Sequence, residues 1–160
     1  MRTVIVCSLA ALMATPSSAA SLGSSAVPEV VKGVQSCLTA TREDGVDIDS
    51  LQNDGWSKVT VSDGGRTVAS PIPMLSKGSL ILVHQASGPT PICTIMAKVP
   101  DVPAISGVAT ALDGALETGR KIENGKAIPA YWFPEGHVVQ LASTGSEKAP
   151  GVRIVVAYRK

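Results

Sequence analysis

The sequence predicts an α+β fold: a two-layer sandwich whose largely antiparallel sheet of hairpins carries two main helices, over residues 28–40 and 103–118, on one face. Short turn-forming segments separate nearly all successive strand-like segments, and turns of that length connect antiparallel strands. Each helical segment precedes a strong pair of strands, so its apolar side has a sheet to cover. A parallel crossover through the second helix is the alternative topology.

Local residue patterns predict the elements of the N-terminal half. Pro28 suits the first turn of a helix, and Cys37 lies among the apolar residues that recur on one side of that helix. In "DIDSLQNDGW", Asp49 followed three residues later by Gln52 predicts a capped short helix that ends near Gly55. "WSKVTVSDGGRTVAS" then predicts a hairpin, and "SPIPML" predicts an interruption of regular structure.

The C-terminal half contains the strongest strands and the clearest helical periodicity. "SLILVHQASGPTPICTIMAKV" predicts two strands joined by a turn at residues 87–89. "DVPAISGVATALDGALETG" predicts the second helix, with Asp101 as its N-cap and Gly119 at its end. "KIENGKAI" predicts a hairpin around residues 124–125. "HVVQLAS" and "GVRIVVAYR" complete the sheet, with "TGSEKAPG" as the loop between them.

The first twenty residues predict export. Arg2 is followed by an apolar stretch from Val4 to Ala14, and small residues precede a cleavage position after Ala20 or Ala19. A membrane-spanning helix needs about 20 apolar residues, roughly twice the length of this stretch. We therefore expect a cleaved signal peptide at 1–20, a flexible lead-in at 21–27 and a single domain at 28–160. We expect the mature protein to be periplasmic or secreted, with no integral membrane association after cleavage.

Two cysteines remain after the signal peptide is removed, Cys37 and Cys93, because Cys7 lies inside its apolar stretch. Cys37 lies on the apolar side of the first helix, and Cys93 shares an apolar strand face with Ile95 and Ala97. An even number of cysteines in an oxidising compartment predicts a disulfide between these two residues. The alternative, a reactive thiol, needs an accessible electropositive site with a histidine nearby.

The charge balance excludes some classes of partner. Once Arg2 is removed with the signal peptide, 13 basic residues balance 13 acidic ones. A nucleic-acid partner or an anionic membrane needs a basic surface, so we expect neither. Aromatic residues make up only 3% of the chain, so the core is expected to be aliphatic.

Motifs that place a nucleophile, a metal or a phosphate are absent from the sequence. It contains no Gly-x-Ser-x-Gly, Ser-x-x-Lys, His-Glu-x-x-His, Cys-x-x-Cys or glycine-rich phosphate loop. In "EDGVDIDSLQNDG", a calcium loop starting at Asp47 or Asp49 lacks the carboxylate at position 5 and the glycine at position 6. We interpret this stretch as a solvated loop with a helix cap, and we identify no catalytic residue, metal site or cofactor site.

The two histidines are the remaining candidates for acid–base chemistry. His84 shares a strand face with Leu80 and Leu82, and we interpret it as a hydrogen-bonded histidine near the end of the sheet. His137 follows the turn in "FPEGH", where Glu135 is close enough in sequence to pair with it. A zinc site would need at least one further ligand beside both histidines.

The stretch "AYWFPEGH" contains three of the five aromatic residues, Tyr131, Trp132 and Phe133. Since side chains alternate along a strand, either Trp132 or the pair of Tyr131 and Phe133 faces away from the core. Exposed aromatic residues beside a Pro-Glu-Gly turn suit contact with a ligand or a protein, so these three residues with Glu135 and His137 form a candidate binding surface. The alternative is an aromatic strand packed under a loop or helix.

These observations favour a small exported, disulfide-bonded, non-catalytic binding or accessory protein of the cell envelope, whose partner is an unidentified envelope protein or small ligand. One alternative is a small secreted hydrolase that uses His137 with a carboxylate. Another is an inhibitor of an envelope-attacking enzyme that inserts the loop "ASGPTP", although this loop contains no identifiable anchor residue.

Overall fold

The chain forms three α-helices within the residues that a computed structural model describes, namely 23–63, 66–85, 89–122 and 128–159. They are α1 (Val27–Ala40), α2 (Ile48–Asn53) and α3 (Val102–Leu116). The predicted signal peptide lies outside the described residues, as do most of the turn predicted at 87–89 and the turn at 124–125. The two long helices lie within a residue or two of their predicted bounds.

Twelve strands account for most of the remaining described residues. In chain order they are β1 (Thr41–Arg42), β2 (Gly45–Val46), β3 (Ser57–Lys58), β4 (Thr60–Asp63), β5 (Arg66–Ala69), β6 (Met74–Lys77), β7 (Leu80–Gln85), β8 (Ile92–Lys98), β9 (Lys121–Ile122), β10 (Ala130–Trp132), β11 (His137–Ser146) and β12 (Ala149–Tyr158).

Eight of these strands form one sheet, in the order β3-β6-β7-β8-β12-β11-β10-β9. Every strand pair described is antiparallel, which confirms the predicted fold class. α3 carries the chain from β8, in the middle of the sheet, to β9 at its edge, so the alternative of a parallel crossover is wrong. The strand pairs β1–β2 and β4–β5 form two separate ribbons.

α1 and α3 pack against each other and against the same face of the sheet. α1 buries Val30, Val34 and Cys37 there. At Gly33 a β-carbon would lie 3.0 Å from Leu80 Cδ1, so the glycine lets the helix axis come close to β7. The lead-in is attached to the sheet at Ser25, which is buried and donates its backbone N–H to the Lys98 carbonyl oxygen over 2.8 Å.

The predicted disulfide between Cys37 and Cys93 is present and joins α1 to β8. The two Cα atoms lie 5.6 Å apart, and both cysteines are completely buried. The bond closes a loop with a sequence separation of 56 residues. Closing such a loop stabilises the folded chain by roughly 4 kcal/mol in the chain-entropy account, as an upper estimate.

The observed N-cap residue matches the predicted one for α3 and differs from it for α2. The Asp101 carboxylate accepts the Ala104 N–H over 2.8 Å, which confirms the predicted cap of α3. For α2 the predicted cap at Asp49 is wrong, because Asp47 caps the helix and accepts the Ser50 N–H over 2.9 Å. β2 ends one residue earlier, so Asp47 has the extended backbone that an N-cap requires.

Two segments that were expected to be irregular are strands. The predicted loop "TGSEKAPG" is instead the paired ends of β11 and β12, which a turn at residues 147–148 connects. Its polar side chains are mostly exposed, so the segment forms an exposed ribbon whose backbone groups bond to each other. β6 begins at Met74, directly after Pro73, so the prolines of "SPIPML" precede the strand and leave its hydrogen bonds intact.

Candidate binding surface

The structure divides the predicted aromatic surface between the two faces of the sheet. Trp132 is completely buried on the helix-covered face, so it belongs to the core and cannot contact a partner. Its indole Nε1–H donates to Asp113 Oδ1 on α3 over 2.9 Å. Asp113 Oδ2 also lies 3.5 Å from the Arg120 guanidinium. The buried hydrogen bond explains which side of β10 faces inward, because α3 provides the acceptor that the indole needs.

Tyr131 and Phe133 lie on the opposite side of the sheet from Trp132 and are partly exposed. Gln140 Nε2 donates to the Tyr131 hydroxyl over 2.8 Å, from the directly opposite position on β11. Lys121 Nζ lies 5.0 Å from the centre of the Phe133 ring, a cation–π contact. These two aromatic residues are therefore available at the β9–β10 edge of the sheet.

The His137 ring contacts the backbone of Glu135, and the two side chains do not form an acid–base pair. The His137 ring places Nε2 2.8 Å from the Thr41 carbonyl oxygen and Nδ1 2.8 Å from the Glu135 carbonyl oxygen. Glu135 thus contributes its backbone, and its carboxylate does not bond to the ring. The ring also packs edge-on against Tyr158. Since both ring nitrogens face backbone oxygens, this arrangement gives no support to His137 as a general base.

The face of the eight-stranded sheet opposite α1 and α3, which we call the open face, is mostly apolar at its centre, with Thr94 and Gln140 among the apolar side chains. Its side chains alternate with the buried core positions and remain at least partly exposed, and Met96 is 39% exposed. The strand register places Met96 between Ile81 and Arg153, and Val155 beside Thr94. The apolar members on the four central strands are Ile81, Val83, Ile92, Met96, Val138, Ala142, Val155 and Ala157.

One end of the open face is cationic. Arg153 lies directly opposite Met96, and Lys98 lies two residues further along β8, opposite Gly151, so the two cations are diagonal neighbours. Both side chains are exposed, and neither forms an ion pair with a described carboxylate. None of the eight strands contains an aspartate or glutamate. The open face therefore combines an apolar centre with positive charge.

A polar cleft of about 380 Å³ between α1 and α2 is the second candidate. The Ser36 hydroxyl lies 2.6 Å from Asp54 Oδ2, and Lys77 Nζ lies 3.2 Å from Asp54 Oδ1. The hydrogen bond from Ser36 and the ammonium group of Lys77 lower the pKa of Asp54. An aspartate held in its ionised form is a weak proton acceptor, so Ser36 has no activating base here. This cluster connects α1, α2 and β6.

His84 lies beside a smaller cleft of about 260 Å³ that Lys58, Ile72 and Met74 also line. Its Nδ1 atom is buried and has no hydrogen-bond partner among the described residues, in contrast to the hydrogen-bonded histidine that we expected. Burial lowers the pKa of His84 below the ordinary value of 6.5. Burial therefore favours the neutral form of the ring in the folded protein.

Comparisons with known proteins provide no relative for this chain. No protein-family model, curated protein or solved structure matches it. Within the described part of the chain, no group of three or more His, Cys, Asp and Glu side chains is placed to hold a metal ion. No helix among the described residues has the length and apolar character needed to cross a membrane.

Sequence reasoning missed the open face, although a signal for it was present. β7 contains "LILV" and β12 contains "RIVVA", so both strands are apolar at odd and even positions alike. Strands of this kind are typical of sheets covered on both faces. The interpretation considered only the face that carries Cys93, and therefore did not identify Met96, Lys98 and Arg153.

The orientation of β10 is tested by comparing Trp132→Ala with Tyr131→Ala. We expect the Trp132 variant to lose about 3–5 kcal/mol of unfolding free energy, because a buried indole leaves a cavity. The Tyr131 variant should lose about 1 kcal/mol, because its side chain is partly exposed. Urea unfolding followed by circular dichroism measures both, and Trp132→Phe serves if the alanine variant does not fold. Equal losses would contradict the orientation.

The partly buried ring of His84 predicts a loss of stability in mild acid. As the pH falls through 6.5, the unfolded chain binds a proton that the folded chain resists, so the free energy of unfolding falls. The loss stops once the pH is below the lowered pKa of the folded state. Urea unfolding at pH 8 and pH 5.5 should show a larger decrease for the wild type than for His84→Gln. An equal decrease in both proteins would show that His84 carries no such effect.

Proposed function

We propose that the mature chain is a small exported, non-catalytic binding or accessory protein that contacts its partner through the open face. One observation carries the proposal: the central strands are apolar on both faces, whereas α1 and α3 cover only one. Apolar patches that a monomer leaves exposed mark interaction sites in many proteins. Tyr131, retained from the predicted binding surface, extends this face toward β9.

The dimensions of the open face suit a protein partner better than a small molecule. Six neighbouring strands, from β6 to β10, give a width of about 24 Å at a spacing of about 4.8 Å. Three rows of outward side chains, each separated by two residues, add a height of roughly 14 Å. Sites for small molecules are concave, whereas this face is broad. Its area of a few hundred Å² is below the roughly 800 Å² per partner of a standard interface, so we expect a transient complex.

Two features support export. The Cys37–Cys93 disulfide is of the kind that persists in oxidising compartments, and residues 1–20 have the pattern of a signal peptide. The disulfide is also completely buried, so it contributes to the core and offers no accessible thiol. Export and a buried disulfide together favour an accessory role outside the cytoplasm over thiol chemistry.

Site-specific photocrosslinking in the native cell envelope tests the proposed contact surface. A photoreactive benzophenone amino acid replaces Met96 on the open face or, as a matched control, Thr110 on the exposed side of α3. We expect a protein adduct from position 96 and none from position 110, because only the open face contacts the partner. The mass of the exported chain should also show loss of residues 1–20. Equal adducts from both positions, or none from position 96, would overturn the proposal.

A further inference from the structure

We infer that the partner presents an apolar strip that ends in carboxylates, which meet Lys98 and Arg153 on the open face. This inference rests on the proposed function and specifies the chemistry of the partner. Arg153 borders Met96 and Lys98 is its diagonal neighbour, so both cations lie directly at the edge of the apolar centre. A partner that covers Met96 would therefore also reach the two cations.

The exposure of Lys98 and Arg153 and their lack of an ion pair with a described carboxylate indicate which groups of a partner they bind. Both are exposed, and the ion pairs found among the described residues involve other cations, namely Arg42, Lys77 and Arg120. Covering an unpaired cation with an apolar surface is costly, whereas a carboxylate satisfies it. An arginine guanidinium also binds a carboxylate with two parallel hydrogen bonds. Charge complementarity therefore places Asp or Glu side chains at this end of the partner.

A second copy of the same chain is a poor occupant. In a two-fold symmetric pair, the open face would meet only itself. The eight strands contain no aspartate or glutamate, so in such a pair the strands would offer no carboxylate to Lys98 or Arg153. A carboxylate for these cations would have to come from outside the strands, and without one the cations would be covered unpaired or would oppose like charges.

An anionic bilayer is also disfavoured. Attraction to anionic lipid supplies about 1 kcal/mol for each basic residue near the surface, so two cations provide weak binding. Stable attachment to a membrane needs a larger basic patch or an inserted apolar segment. The apolar side chains of the open face are mostly half-buried within the sheet, so they do not project as an inserted segment would. A protein partner accounts for both the apolar centre and the two cations of the open face.

A charge-reversal experiment tests this inference. The photoreactive residue replaces Val83, which lies two strands from Arg153, and the double variant Lys98→Glu/Arg153→Glu is compared with the wild type. We expect the yield of the protein adduct to fall at least about tenfold, the scale of a close ion pair at an interface. Arg153→Lys, which keeps the charge but loses the bidentate geometry, should retain more of the yield than the double variant. Lys32→Glu/Lys58→Glu, which changes the net charge equally at positions outside the open face, should leave it within about twofold.

The outcomes separate the two proposals. An adduct from Val83 that persists at full yield in Lys98→Glu/Arg153→Glu overturns the carboxylate inference and leaves the open face as a binding surface. No adduct from Val83 in the wild type overturns both. Binding of the wild type to phosphatidylglycerol vesicles but not to phosphatidylcholine vesicles, lost on charge reversal, would assign the cations to lipid and overturn the inference. A dimer in sedimentation that the reversal dissociates would overturn it as well.

Discussion

The position of α1 on the sheet is the constraint on which the rest of the structure depends. The Cys37–Cys93 bond fixes the C-terminal half of α1 to β8, and Gly33 allows the helix to lie close to β7. α3 then packs beside α1, with Leu112 and Val108 completely buried. Both long helices are thus held on one face of the sheet. The described residues contain no other long helix that could cover the opposite face.

This arrangement leaves the second face of the sheet without a helical cover. Apolar residues on an exposed sheet face contribute less to stability than the same residues in a core, since part of their surface remains in water. Strands that are apolar on both sides are therefore better explained by a partner than by the stability of the isolated chain. In the proposed complex, the cations on this face would discriminate between an acidic partner and a neutral or basic one.

The parts of the fold that the sequence predicts correctly depend on local patterns. Helical periodicity identified α1 and α3, and the Asp101 cap follows from the residues next to it. The disulfide was predictable because only two cysteines follow the predicted signal peptide and both have apolar surroundings. For the helices and the cap, the decisive information lies within a few residues along the chain, whereas for the disulfide it is the number of cysteines.

The features that sequence analysis missed depend on contacts between distant segments. Alternation along "AYWF" cannot decide which side of β10 faces α3, whereas the hydrogen bond from Trp132 to Asp113 does. β6 follows two prolines and is recognisable as a strand only through its pairing with β7. The open face was missed for a similar reason. Whether a face of the sheet is left open depends on where the helices pack, and the residue pattern of a single strand does not show this.

The exposure of Met96 tests the central claim most directly. Met74 and Met96 are the only methionines after the predicted signal peptide, and Met96 is 39% exposed on the open face. Hydrogen peroxide converts an accessible methionine to its sulfoxide, and peptide mass spectrometry measures the rate at each position. For the isolated monomer we predict that Met96 is oxidised within about tenfold of its rate in the urea-unfolded chain. Protection of Met96 by several orders of magnitude would show that the face is covered within the chain itself and would contradict the account.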